Sequence, residues 1–195
     1  MRSSPCPGNL TGPIPQDLST CWPDLVEIDV SYNDLIGTLP AFLAQIPKLK
    51  QLKMEKNRLT GPIPAELAGV KSESSCWLAG ACCTADQPCL NRAAALEWLR
   101  IGDNGFSGVL PAAFSRLAPL MTQITLDNND LEGNLYALAG HSLINTGTAN
   151  NPKLCGMVPS GVRFAHGFNP HNTRLGLPCP GEVWTPGASA PASAG

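Results

Sequence analysis

The residues of this chain with the widest chemical reach are its eight cysteines and three histidines. Cys155, His166, His171 and Cys179 fall in one C-terminal segment, and the H-x4-H spacing lies in the range used by structural zinc. Neither cysteine sits in a C-x2-4-C pair, however, so no metal is expected there. A second group, Cys76, Cys82, Cys83 and Cys89, reads C-x5-C-C-x5-C. In a reducing compartment such a run can hold a metal; in an oxidising one it forms disulfides. A bond between the adjacent Cys82 and Cys83 would be strained. That leaves Cys76–Cys82 with Cys83–Cys89, or Cys76–Cys83 with Cys82–Cys89. His141 stands alone in a turn region and reads as a surface residue.

Motifs of catalysis are missing from the sequence. There is no G-x-S-x-G elbow, no phosphate loop, no H-E-x-x-H and no dinucleotide fingerprint. Glu27 and Asp29 point to one face, but alternating polar residues on a solvated sheet do the same. No enzyme activity and no cofactor are expected. Charged residues make up 14% of the chain and the formal net charge is −2, so no basic field invites nucleic acid. No apolar run is long enough to cross a bilayer. The first residues, from Met1 to Cys6, have no apolar core of a signal peptide.

Behind these residues lies a repeat. From Leu49 to Pro64 the chain reads L-x-x-L-x-L-x-x-N-x-L-T-G-x-I-P. The spacing recurs at Leu25, Ile28, Val30, Asn33, Leu35, Gly37, Leu39 and Pro40. It returns at Leu96, Leu99, Ile101, Asn104, Phe106, Gly108, Leu110 and Pro111, and again at Met121, Ile124, Leu126, Asn129, Leu131, Gly133 and Leu135. A truncated copy opens the chain at Leu10, Gly12, Ile14 and Pro15, with Gly8 in the Asn position. The alternating x-L-x-L part predicts a short strand with its leucine-type residues facing a core. Asn at the bend can bind backbone groups that the bend leaves unpaired, and stacked copies would form a ladder. Gly permits the reversal, and Pro suits an extended step that needs no N–H. No single copy buries its own apolar face, but a stack of them does.

This pattern resembles the leucine-rich-repeat family over roughly residues 8–160. The L-T-G-x-I-P-x-x-L stretches at Leu10–Leu18 and Leu59–Leu67 resemble its plant-specific subclass. The resemblance implies a right-handed horseshoe solenoid of the α/β class. It further implies a parallel β-sheet on the concave side and 3-10 or irregular segments on the convex side. It also implies a binding module for a protein, peptide or glycan, as in the ectodomains of plant receptor-like proteins at the cell surface or secreted. A cytoplasmic scaffold with reduced cysteines and a secreted hydrolase inhibitor are alternatives on the same fold. The run Asn151-Pro152-Lys153-Leu154-Cys155-Gly156 looks like the C-terminal cap of plant receptor ectodomains, which implies a closing Cys155–Cys179 bridge.

Two stretches depart from the repeat. Asn57 and Asn104 stand nearly two repeat lengths apart, and residues 71–94 between them are either a degenerate repeat or an inserted disulfide-bearing loop. The loop is the preferred reading, because four cysteines exceed what a core strand needs. Residues 143–151 keep the repeat length but place Thr146 and Thr148 at core positions. The expected organisation is a solenoid over 1–180, capped by 143–180, and a Pro/Ala/Ser/Gly-rich linker or tail over 181–195. The chain starts inside a repeat, so an N-terminal cap and signal peptide are expected to precede it, and the bare chain is expected to aggregate.

The concave strands carry the variable residues. One outward row reads Glu27, Gln51, Trp98, Gln123 and Asn145; the next reads Asp29, Lys53, Arg100, Thr125 and Gly147. Beyond the strands come Ser31, Glu55, Gly102, Asp127 and Ala149. The expected ligand-binding residues are Glu27, Asp29, Gln51, Lys53, Glu55, Trp98, Arg100, Gln123 and Asp127. Trp beside Arg is a common make-up for the energetic centre of an interface. Asn9-Leu10-Thr11 is a glycosylation sequon on an exposed position.

Overall fold

The computed structural model describes residues 9–15, 18, 24–68, 96–117, 120–160, 162 and 171–182. The cysteines at 76, 82, 83 and 89, His166 and most of the tail lie outside this set. Described strands are β1 (Thr11–Gly12), β2 (Glu27–Asp29), β3 (Asp34–Thr38), β4 (Gln51–Lys53), β5 (Arg58–Gly61) and β6 (Trp98–Arg100). They continue with β7 (Gly105–Val109), β8 (Gln123–Thr125), β9 (Asp130–Gly133), β10 (Asn145–Gly147), β11 (Lys153–Gly156) and β12 (Arg174–Leu175). Each repeat gives one strand to each of two parallel sheets. The five-stranded sheet has the order β10-β8-β6-β4-β2 and is the concave one; the seven-stranded sheet has the order β1-β3-β5-β7-β9-β11-β12. Four short 3-10 helices, Ala41–Gln45, Ala65–Ala68, Ala112–Leu117 and Tyr136–Leu138, line the convex side and pack on one another in chain order. This is a leucine-rich-repeat solenoid, as the spacing predicted.

The core is a stack of rungs. Ile28, Leu52, Leu99 and Ile124 form one buried row; Met54, Ile101 and Leu126 form the next. Leu35, Leu59, Phe106 and Leu131 follow beneath the second sheet, and Leu39, Ile63, Leu110 and Leu135 close the rung. At roughly 25 cal/mol per Å² of apolar surface, each such row adds to a core that no single turn could make.

The asparagine ladder connects the rungs. Oδ1 of Asn33, Asn57, Asn104, Asn129 and Asn151 accepts the backbone N–H of Leu10, Leu35, Leu59, Phe106 and Leu131, each on the preceding turn. The amide nitrogen donates inside the bend. Asn129 Nδ2 lies 3.0 Å from Leu126 O, 3.1 Å from Asp127 O and 3.1 Å from Ile101 O. The residue before each ladder Asn takes a left-handed backbone: φ is 60° at Tyr32, 54° at Lys56, 55° at Asp103 and Asn128, and 56° at Asn150. The repeat glycines Gly37, Gly61, Gly108 and Gly133 are left-handed as well, with φ from 89° down to 75°. A Cβ at Gly61 would meet the Thr38 methyl at 3.0 Å, so conformation and close approach both demand glycine there.

Strands β4 and β6 pair directly, with Gln51 against Trp98, Leu52 against Leu99 and Lys53 against Arg100. β5 and β7 do the same in the second sheet. The Lys50–Glu97 ion pair joins residues 47 apart in sequence. Elsewhere neighbouring rungs are separated by far less, as for Leu126 and Asn151 at 25. No strand of the described residues lies between these two rungs.

At the C-terminal end the concave sheet stops at β10, while the second sheet runs on through β11 and β12. Leu175 on β12 is buried against the last rung. Cys155 and Cys179 are joined, with Cα atoms 5.1 Å apart. Neither is therefore a free thiolate for a metal. His141 is a correction to the surface reading. It is 1% exposed, because it takes the row position of Ile46 and Leu117, beneath the same 3-10 bend.

Candidate ligand-binding face

The ladder registers make rows of the outward concave residues. Glu27, Gln51, Trp98, Gln123 and Asn145 are successive partners, and so are Asp29, Lys53, Arg100, Thr125 and Gly147. Strand alternation turns these side chains away from the core, and the spacing between neighbouring strands, about 4.8 Å, brings them into reach of one another. The structure ties them together on diagonals. Lys53 Nζ sits 2.6 Å from Glu27 Oε1 on one side and 5.2 Å from the Trp98 ring centre on the other. Both charged side chains are only about one-sixth exposed, at 15% and 16%. The cation is thus shared between a carboxylate and an aromatic face.

A second diagonal starts at Glu55. Arg100 Nη2 lies 2.7 Å from Glu55 Oε2, and Nε lies 3.0 Å from Oε1. Thr125 Oγ1 donates to the same Oε1 at 3.0 Å. Two parallel N–H contacts fix the guanidinium plane as one point contact would not. Trp98 is half-buried between the two diagonals. An aromatic ring braced by a neighbouring cation loses little freedom when a ligand covers it.

The C-terminal part of the face is built differently. Asp127 Oδ1 accepts the Ala149 N–H at 3.0 Å. Its side chain leans across Gly147: a Cβ on that glycine would lie 1.8 Å from Asp127 Oδ2. Burial pushes the Asp127 carboxyl above the usual carboxylate range, and the neighbouring charges of Asp103 and Glu55 push the same way. Beside it, Asn128 donates to Asp103 at 2.7 Å and Asn150 donates to Asn128, a row of amides and acid along the rim. Lys56 stands 4.8 Å over the exposed Tyr32 ring at the other end of that rim.

The expected residues thus separate into groups. Glu27, Lys53 and Trp98 meet; Glu55 and Arg100 meet; Asp127 stands apart; Asp29 Oδ1 accepts the Ser31 N–H at 3.1 Å, and Gln51 and Gln123 fill the rows between. Sequence reasoning missed Thr125 as an anchor for Glu55, and it missed the Asp103–Asn128–Asn150 rim. The rim had a signal, since Asp and Asn before the ladder position are the residues that best tolerate a left-handed backbone. Asn9 and Thr11 of the sequon are both exposed. Among the described residues, no three or more His, Cys, Asp or Glu gather as metal ligands, and no helix is long and apolar enough to cross a membrane.

Paired sheets, an internal Asn ladder and a convex row of 3-10 helices define a class, the leucine-rich-repeat solenoid. Residues 95–117 match the model of the Leucine Rich Repeat family. The chain has the leucine-rich-repeat fold and is similar to a plant receptor-like protein and to plant receptor ectodomains. It is 34% identical over 105 residues to receptor-like protein 31 of Arabidopsis thaliana, covering 54% of this chain and 10% of that protein. The ectodomain of BIR2 from Arabidopsis thaliana superposes with a TM-score of 0.54 at 26% identity, covering 75% of this chain and 64% of that one. The Arabidopsis receptor kinase HAESA, solved with the peptide hormone IDA and the co-receptor SERK1, superposes with a TM-score of 0.61 at 22% identity, over 89% of this chain and 25% of that one. The chain therefore spans a small part of the length of the receptor-like relative it matches.

Proposed function

We propose that this chain is a recognition module of a receptor-like protein at the cell surface or in a secreted form, and that it binds a protein or peptide along its concave sheet without catalysis. The observation that carries this reading is the pre-ordered strip of Lys53, Trp98, Glu55 and Arg100. Its side chains are fixed by one another before any ligand arrives, which lowers the ordering cost of binding. The kinship with receptor-like protein 31 supports a receptor setting, and HAESA shows a solenoid of this fold holding a peptide hormone. The Cys155–Cys179 bond supports an oxidising compartment. In that compartment Asn9, exposed and followed by Thr11, is the residue for an N-linked glycan.

The test is selection of binders from a displayed peptide library against the immobilised full chain. Affinities are then measured with wild type, Trp98→Ala and Gln51→Ala. The Trp98 variant is expected to lose more than about 1 kcal/mol of binding with its melting temperature unchanged. Selected peptides that bind both variants like wild type would move the site off the concave strip.

A further inference from the structure

The last rung, from His141 to Asn151, keeps the backbone of the solenoid but changes its core. Earlier rungs place Ile28, Leu52, Leu99 and Ile124 where this one has Thr146, and Met54, Ile101 and Leu126 where it has Thr148. Where earlier bends place Ile46 and Leu117, this one places His141. All three replacements are shut away from solvent: His141 is 1% exposed, Thr146 2% and Thr148 1%. His141 Nδ1 lies 3.2 Å from the Leu138 carbonyl, so the neutral ring donates from Nδ1 and presents Nε2 as an acceptor. Nε2 has no protein partner, and neither do the Thr146 and Thr148 hydroxyls. A buried polar group without a partner destabilises the state that buries it.

Among the described residues, the elements around the ring carry no counter-charge. Backbone carbonyls of Leu138, Ala139 and Phe114 face the ring and favour its protonated form, but burial outweighs them. The 3-10 helix Ala112–Leu117 carries Arg116, an exposed cation, and the helix Tyr136–Leu138 carries Tyr136. Neither helix, nor β8, nor the last rung itself contains a carboxylate. We propose that the last rung is an acid-released latch: protonation of His141 at Nε2 places an uncompensated charge in the apolar core and frees β10 from the concave sheet. Burial holds the imidazole below its ordinary value, because the closed rung resists a proton that the open chain accepts. The latch is therefore fully closed above the ordinary histidine value of about 6.5 and weakens as pH falls below it. Between pH 7 and pH 5 its opening constant rises by up to about 25-fold. Asp127, whose carboxyl is pushed up, works in the opposite sense at lower pH and cannot imitate this trend. That release shortens the binding face, by removing Asn145, Gly147 and Ala149, rests on the concave-face function; the latch itself does not.

The experiment is native-state hydrogen exchange on the full, disulfide-bonded chain between pH 7 and pH 5, corrected for intrinsic rates and without ligand. The reporting amides are Leu126, bonded to Gly147 O, and Asn128, bonded to Ala149 O. Met54 and Ile101, bonded to Arg100 O and Thr125 O, are the internal controls. Opening at the reporters is expected to rise by more than tenfold while the controls hold, and His141→Gln is expected to flatten the reporters. Equal rises at both sets, or an unchanged rise in His141→Gln, would overturn the latch. Should that variant not fold, proton NMR titration of His141 in the wild-type chain decides: a midpoint below about 6.5 supports the latch and one at or above it removes it.

Discussion

Arg100 grips Glu55 through two nitrogens, while Thr125 holds the same carboxylate from the next strand. A lysine at 100 keeps the charge but not the two-point contact. Arg100→Lys is thus expected to lower stability by about 1 kcal/mol, and Arg100→Ala by about 1–2 kcal/mol, in chemical denaturation. The two losses should shrink and converge in a Glu55→Gln background; losses there unchanged from those in the wild type would mean the pair contributes nothing. A ligand effect of Arg100→Ala has to be read against this structural cost, which makes Trp98 the cleaner probe. Gly147 gives a second test at this scale. Its Cβ position is filled by Asp127, so Gly147→Ala is expected to cost about 1–3 kcal/mol. In an Asp127→Ala background the same change should be nearly neutral. A full cost in that background would place the strain in the backbone instead.

The bend that follows each concave strand depends on one asparagine serving two turns. Asn129 accepts from Phe106 and donates to three carbonyls; the bonds to Phe106, Ile101 and Leu126 are buried and the one to Asp127 is part-buried. Alanine there strips several buried backbone groups of partners at once. Asn129→Ala is expected to cost about 2–4 kcal/mol, measured as a drop in thermal midpoint of several degrees. Asn33, bonded to the exposed Leu10 amide at the first described turn, should cost less. This element was legible in the sequence, because asparagine returns at fixed distance from the leucines. The concave sheet and its outward rows were legible for the same reason: period-two strands stacked in register leave no freedom over which residues are neighbours, whereas the second, seven-stranded sheet was not read from the sequence. The diagonals Glu27–Lys53–Trp98 and Glu55–Arg100–Thr125 were not. Each partner lies one strand over and one or more positions along, so side-chain reach decides the pairing and no spacing rule encodes it. His141 was misread because it interrupts the apolar bend row without changing the backbone that carries the row.

The C-terminal end of the molecule is held by β11, β12 and the Cys155–Cys179 bond, which spans 24 positions. Closing a loop of that length contributes about 3 kcal/mol in the chain-entropy account. Reduction is expected to lower the midpoint of thermal unfolding by roughly 6–12 °C, at about 2–4 °C per kcal/mol for a chain of this size. Hydrogen exchange should show the loss first at Leu175 and Leu154, which cover the final rung. No change on reduction would mean that the strands suffice as a cap.

The direct pairing of β4 with β6 across the long chain interval has a kinetic reading. Doubling the sequence separation of two paired strands costs only about 0.6 kcal/mol, so the long-range pairing itself is thermodynamically cheap. Folding of a stacked array, however, spreads from rung to neighbouring rung, and at this junction the next rung arrives only after a longer search. The rungs up to β5 and the rungs from β6 onward are therefore expected to nucleate separately, which kinetic refolding would show as two phases. The concave strip that couples Lys53 to Trp98 lies across their meeting line. If the proposed concave face binds a ligand, that ligand would favour the joined state over the two separate halves.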